Sequence, residues 1–232
     1  MALWVGQFGM EGGEAREKTS WVGAYPDPGH ADDPSDLYVL VTPALPGSEE
    51  FCAEMKDVIG ESFHRNKLSL TGGMLHALRG AHQNLRDWNK RSLPDHKVAA
   101  GVSCLAVQNN RAYTAQVAPA HTFFFRRGEL MTIEPDLTGA LEPLGLEEDF
   151  HPDFRRFDLE PGDRILMLTP ALAGGISGDD LAEVLGRAGE EALPQLYRRA
   201  QGAGDCGALL VIVTDEPAPT GPASDARPAS DE

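Results

Sequence analysis

Apolar positions in this chain fall into short runs, with two long periodic stretches among them. Residues 2–9 (ALWVGQFG) and 19–25 (TSWVGAY) have the length and composition of short strands. Residues 36–43 (DLYVLVTP) are apolar and β-branched nearly throughout, which suits a strand buried on both faces, and Pro43 ends it. Over residues 48–65 the period becomes 3.6. Phe51, Met55, Val58, Ile59 and Phe63 then share one helix face, and Ser48-Glu49-Glu50 supply a cap and carboxylates for the positive end of the helix dipole. A second helix is predicted over residues 70–91. Its stripe is Leu70, Met74, Leu75, Leu78, Ala81, Leu85 and Trp88, and Pro94 closes the connection.

A meander follows. Residues 97–108, 111–117 and 122–127 read as strands, with Asn109-Asn110 a tight hairpin turn and Arg127-Gly128 another turn signal. Residues 133–156 read as irregular, broken by Pro135, Pro143 and Pro152. Residues 163–169 (DRILMLT) form a strand after the turn Glu160-Pro161-Gly162. Residues 178–201 hold one or two helices, and residues 208–214 (ALLVIVT) form a last strand buried on both faces. Runs of antiparallel strands with segregated helices mean an α+β fold rather than alternating βαβ units. Two antiparallel sheets should stack face to face. The 48–65 and 70–91 helices should cover one outer face and the 178–201 helices the other, with strands 37–43, 164–169 and 208–214 at the centre.

Residues 1–214 are expected to form one domain. Residues 215–232 (DEPAPTGPASDARPASDE) contain no large apolar side chain, so they are expected to be a disordered acidic tail. The chain has 232 residues, 41% of them hydrophobic, enough for a sizeable core. It carries 36 acidic residues against 20 Lys and Arg, a net charge of −16. That balance argues against nonspecific nucleic-acid or anionic-membrane binding, both of which need a basic face. No apolar run reaches the ~20 residues that span a bilayer, so no membrane insertion is expected. The opening residues lack a basic n-region and a long apolar h-region, so no signal peptide is expected. Three scattered cysteines, Cys52, Cys104 and Cys206, suit buried thiols in a reducing cytoplasm.

Several familiar sites are missing. The sequence holds no phosphate-cradling GxxxxGK[ST] loop. The sixth residues after the three cysteines are Val58, Asn110 and Ile212, so none begins a Cys-x5-Arg loop. Ser103 and Cys104 sit mid-strand without the second glycine of a nucleophile elbow, and read as structural. His76 and His82 are six apart, not the i,i+4 that aims two imidazoles from one helix face at a zinc ion.

The order of elements and several stretches resemble the metal-dependent serine/threonine protein phosphatases of type 2C, the PPM family. Residues 160–172 (EPGDRILMLTPAL) are similar to that family's strand entering its second aspartate motif, PGDRLLLCSDGL. Residues 101–130 are similar to its central meander, and residues 37–47 (LYVLVTPALPG) to its LYVVADGMGG stretch. Residues 204–213 (GDCGALLVIV) are similar to its terminal strand, and residues 16–21 (REKTSW) fall where it begins. The resemblance covers residues 1–214 and implies an α-β-β-α sandwich. It also implies an activity in which carboxylates hold two Mg²⁺ or Mn²⁺ ions that activate a bridging water.

The departures fall on the metal ligands. The family's first Asp-Gly falls on Pro43-Ala44, its second on Pro170-Ala171, its central Gly-Asp on Ala118-Pro119 and its N-terminal Glu-Asp on Ser20-Trp21. Only Asp205 remains, followed by Cys206 where the family has Asn. Proline has no side-chain oxygen, and one carboxylate cannot clamp two cations. The expectation is therefore a pseudophosphatase with no metal cofactor and no catalytic residue. It would work in the cytoplasm by engaging a protein partner: a kinase, a phosphatase or a phosphoprotein. Arg16 remains a candidate for binding phosphate, since a guanidinium matches the dianion bidentately; it also reads as a solvated loop arginine. Asp205 also reads as a turn residue entering the last strand. Two alternatives stay open. One is an active phosphatase with displaced ligands among Asp27, Asp32, Asp33 and Asp36. The other is a phosphopeptide or small-ligand binder that uses the emptied cleft.

Overall fold

A computed structural model of the chain describes residues 1–16, 18–27, 34–65, 68–133, 142–148 and 151–215. All but one residue of the acidic stretch 215–232, and Asp32 and Asp33, lie outside the described residues. The long apolar runs explain the architecture, because each is buried on two sides. In β4 (Ser35–Pro43), Leu37, Val39 and Val41 face a helical layer, while Tyr38 and Leu40 face a second sheet. β11 (Cys206–Thr214) divides in the same way: Ala208, Leu210 and Ile212 meet helices, and Leu209, Val211 and Val213 meet the opposite sheet. A strand with both faces covered has no position left for a polar residue, hence the unbroken runs.

The remaining strands among the described residues are β1 (Ala2–Glu11), β2 (Glu14–Arg16), β3 (Val22–Tyr25), β5 (Ala100–Gln108), β6 (Arg111–Val117), β7 (His121–Arg126), β8 (Glu129–Ile133), β9 (Asp153–Asp158) and β10 (Arg164–Leu168). They build a six-stranded sheet, β2-β1-β11-β10-β7-β8, and a five-stranded sheet, β3-β4-β5-β6-β9. Every strand pairing is antiparallel. Helices α1 (Glu49–Arg65) and α2 (Leu70–Asn89) cover the five-stranded sheet through Met55, Ile59, Met74, Leu78 and Leu85. A short α3 (Pro170–Ala173), α4 (Gly178–Leu185) and α5 (Gly189–Ala200) lie against the other sheet through Leu172, Leu181, Leu185 and Leu196. This is the α-β-β-α sandwich expected, with β10 and β11 central to one sheet and β4 inside the other.

Four local features differ from the sequence pattern. The meander is split between sheets: β5 and β6 pair in one, and β7 pairs with β10 in the other. The chain crosses at residues 118–120, where Pro119 has no N–H to continue a ladder. Gly101 makes room, since a Cβ there would lie 2.4 Å from Pro119 Cδ. The irregular stretch 133–156 contains the end of β8 and the start of β9, whose charged DFRRFD forms an edge beside β6. The polar hairpin partner β2 carries no apolar signal; Gly12 and Gly13, with φ of 61° and 81°, make its turn. Finally, Trp88 does not close the α2 stripe in the core but is 46% exposed.

The turn before β10 is fixed by one buried carboxylate. Asp163, 1% exposed, accepts from Arg126 Nε (2.7 Å) and Nη2 (2.6 Å) and from the Glu160 N–H (2.7 Å). Arg126 Cζ lies 5.1 Å from the centre of the Phe124 ring, and its side chain is 29% exposed. Removing the cation strands a buried charge, whereas neutralising the acid leaves an arginine that can turn to water. Arg126→Met should therefore cost about 3 kcal/mol, and Asp163→Asn less, about 1–2 kcal/mol. Urea unfolding of the two variants measures the order, and a larger loss for Asp163→Asn would contradict it.

Candidate functional site

The antiparallel register brings the candidate positions to one end of the sandwich. There β4, β6 and β10 stop, and β5, β7 and β11 begin. Pro43 pairs with Ala100, and the Ala44 N–H donates to Ala99 O (2.8 Å). Ala118 and Pro119 cross from sheet to sheet over Gly101. On the facing sheet, the Thr169 N–H donates to Gly207 O (3.1 Å), and the Gly207 N–H donates to Thr169 Oγ1 (3.1 Å). Because Thr169 Oγ1 is used in this way, α3 begins without a side-chain cap, and Pro170 takes its first position, where a missing N–H costs nothing.

Trp21 joins the two sheets. Its carbonyl accepts from the Val41 N–H (2.7 Å). A Cβ placed on Gly207 would lie 3.3 Å from Trp21 Cβ, so glycine is what allows the approach. The indole is 6% exposed and belongs to the apolar cluster between the sheets, with Leu40, Met167 and Leu209. Thr19 sets up this placement: its Oγ1 accepts from both Trp21 N–H (3.1 Å) and Val22 N–H (3.2 Å), which turns the chain before β3. The neighbouring Ser20 N–H donates to Glu11 Oε1 (2.6 Å). Thr19 and Glu11 escaped the sequence reading; the only signal was a threonine two residues before a buried tryptophan.

The other candidate positions vary in burial. Pro43, Ala44, Ala118, Pro119 and Pro170 are half-buried, Ala171 is exposed and Cys206 is buried beside Met10 of β1. Asp205 is exposed, and its Oδ1 accepts from the Gly12 N–H (2.7 Å), so it ties the β1–β2 turn to the start of β11. Arg16 reaches the same end on the edge strand β2. There its guanidinium meets Glu14 Oε2 at 3.4 Å and Glu11 Oε2 at 3.8 Å. Of the displaced carboxylates, Asp36 opens β4, roughly 23 Å along the strand from Pro43. Its Oδ1 accepts from the Asp27 N–H (3.0 Å), and Asp27 Oδ2 accepts from the Ser35 N–H (3.3 Å), so these two acids close a loop at the opposite end.

Below the proline-bordered rim, the facing surfaces of the sheets carry buried neutral oxygens: Thr42, Ser103, Gln116, Thr122 and Thr169. The Thr122 hydroxyl donates to Ser103 Oγ across the sheets (3.0 Å), and Gln116 Nε2 donates to Ala120 O (2.6 Å). Ser103 thus has the structural role read from its mid-strand position. Among the described residues, no three His, Cys, Asp or Glu side chains group closely enough to hold a metal ion.

No protein-family model matches the chain, and no curated protein matches it in sequence. Solved structures do. A serine/threonine phosphatase of S. agalactiae superposes with a TM-score of 0.72 at 15% identity, covering 91% of this chain and 99% of that one. PppA, a regulatory component of the T6SS in Pseudomonas aeruginosa, gives 0.70 at 16% identity over 91% and 98%. The serine/threonine phosphatase PstP of Mycobacterium tuberculosis gives 0.70 at 14% identity over 92% and 100%. The chain therefore has the fold of the PPM-type serine/threonine phosphatases.

A structure of PstP was solved in complex with two manganese ions. The residues at this end of the present chain do not fit such a pair. Pro and Ala border the rim, and the carboxylates near it are already engaged: Asp205 accepts from the Gly12 N–H, and Glu11 accepts from the Ser20 N–H and meets Arg16. Hydroxyl and amide oxygens lie beneath, but a hard divalent cation pair needs several carboxylates. Trp21 packs between the two sheets at this end, with Leu40, Met167 and Leu209. Trp21→Ala should destabilise the chain by about 3–5 kcal/mol. Denaturant unfolding tests this, and a loss below about 1 kcal/mol would contradict a bridging role.

Proposed function

We propose that this chain is a catalytically inactive, phosphatase-like regulatory module that acts in phospho-signalling by binding a protein partner. The observation that supports this reading is the replacement at one strand end. Trp21, Pro43, Pro119 and Pro170 stand where the resemblance calls for acidic ligands. Four such losses together leave no donor set for two cations and no means of activating a water at neutral pH. The replacements are also self-consistent. A metal-free cluster of partly buried carboxylates would repel itself, and proline and alanine remove that repulsion.

A bound cofactor has no part in this reading, and the partner would be a kinase, a phosphatase or a phosphoprotein in the cytoplasm. No helix among the described residues is long and apolar enough to cross a membrane. Arg16 contributes little to phosphate capture in the proposal, because Glu11 and Glu14 already engage its guanidinium. Displaced ligation by Asp27 and Asp36 lacks support, since both lie at the far end of β4.

The test is direct. The full chain, supplied with millimolar Mn²⁺ or Mg²⁺, should hydrolyse neither p-nitrophenyl phosphate nor a phosphothreonine peptide above a heat-inactivated control. Metal-stimulated turnover that disappears on Asp205→Asn would overturn the proposal.

A further inference from the structure

Residues 142–148, between β8 and β9, form a strap across α2 and the start of β5. Leu144 is fully buried. Its N–H donates to Ala100 O (2.9 Å), and its carbonyl accepts from the Ala100 N–H (3.2 Å). The pairing of β6 with β5 has already ended at Val117, so the strap takes the edge that β6 leaves. On its other edge Ala100 pairs with Pro43, and the strap therefore borders the candidate site.

Helix α2 supplies the remaining anchors. Asn89 Nδ2 donates to Gly145 O (2.9 Å), and Arg86 Nη1 donates to Glu148 O (3.3 Å). The Gly145 N–H donates to His82 Nδ1 (3.2 Å). Gly145 has a φ of 100°, and a Cβ there would lie 2.7 Å from Leu85 Cβ, so its backbone rests directly on the helix.

The anchor at His82 differs from the others because it can take up a proton. An accepting Nδ1 requires a neutral ring with its hydrogen on Nε2, whereas both nitrogens of an imidazolium are donors. A protonated Nδ1 would face the Gly145 N–H, donor against donor. His82 is 4% exposed, so water has little access to replace the lost bond while the strap stays closed. A cavity of about 480 Å³ beside the ring is lined by His76, Arg79 and Gln83 of α2, Glu148 of the strap and His151 before β9. Burial and the Arg79 cation oppose a charge on His82, as do His76 and His151 once they are protonated; Glu148 favours one.

We propose that His82 is a proton-sensitive latch, whose neutral ring holds the strap on α2 and whose protonation loosens residues 144–148 at acidic pH. The closed strap binds fewer protons than the open one. Its stability is therefore complete above the ordinary imidazole value of about 6.5 and declines as pH falls below it. Loosening reaches the candidate site through Leu144 and Ala100, and it does not depend on whether the chain turns over phosphoesters.

Amide hydrogen exchange of the full chain, followed by NMR, tests the latch. Each rate is divided by that of an unstructured amide at the same pH, which removes the intrinsic pH dependence. Between about pH 7.5 and about pH 5, protection of the Leu144 and Gly145 amides should fall roughly tenfold or more, as expected for the loss of one buried hydrogen bond. His82→Asn places an oxygen acceptor near the position of Nδ1 and cannot titrate, so the fall should be absent there. Ring nitrogen shifts of the wild type give a reading that needs no variant. They should show the hydrogen on Nε2 at about pH 7.5, and a protonation midpoint that coincides with the loss of strap protection. Three outcomes would overturn the proposal: a hydrogen on Nδ1 while the strap is protected, protection that persists as His82 becomes protonated, or an equal fall in His82→Asn.

Discussion

Trp21 is held through its carbonyl by Val41 on one sheet and lies against Gly207 of the other, and closure of the sandwich at that end depends on this contact. Strands of both sheets begin or end there. A chain that stacks two sheets must close their shared core where the strands stop, or water enters between the faces. Solved structures of this fold include one with two manganese ions. In the present chain an indole, three prolines and small alanines border the end where Trp21 lies, over a layer of buried neutral side chains that includes Thr42, Ser103, Gln116, Thr122 and Thr169.

The residues at this end work together chemically. Proline at the end of β4, at the crossing after β6 and at the first position of α3 removes N–H groups that would otherwise need partners at a strand end. Thr169 and Thr122 bond Gly207 and Ser103. Asp205 accepts from the Gly12 N–H at the surface.

Much of the fold was legible because its signals were long. The two-sided burial of residues 36–43 and 208–214, the 3.6 period over residues 48–65 and the turn at Asn109-Asn110 each left a pattern that several residues share. What escaped was short or polar: β2, β9 and the crossing at Pro119, which depends on Gly101 from a different strand. Trp88 shows the limit of a periodic stripe, since it continues the spacing of Leu78, Ala81 and Leu85 yet is exposed against Phe51. At the candidate site, the identities of Pro43, Pro119 and Pro170 could be read directly, but Trp21 as a bridge could not. Its placement depends on Thr19, Glu11 and Gly207, which are distant in sequence and carry no common motif. Arg16 and Asp205 likewise kept recognisable positions while their partners, Glu11, Glu14 and Gly12, assigned them to surface contacts.

Closure of the strand ends without metal is tested most directly by the melting temperature of the full chain in EDTA and in Mn²⁺. A cation bound only by the native state, present at about a hundred times its Kd, would stabilise the fold by about 2.7 kcal/mol. For a chain of this size that would raise Tm by roughly 5–10 °C. An end closed by Trp21 and the three prolines predicts the same Tm, within about 1 °C, in millimolar EDTA and millimolar MnCl₂. A rise of several degrees in Mn²⁺, reversed by EDTA, would contradict it.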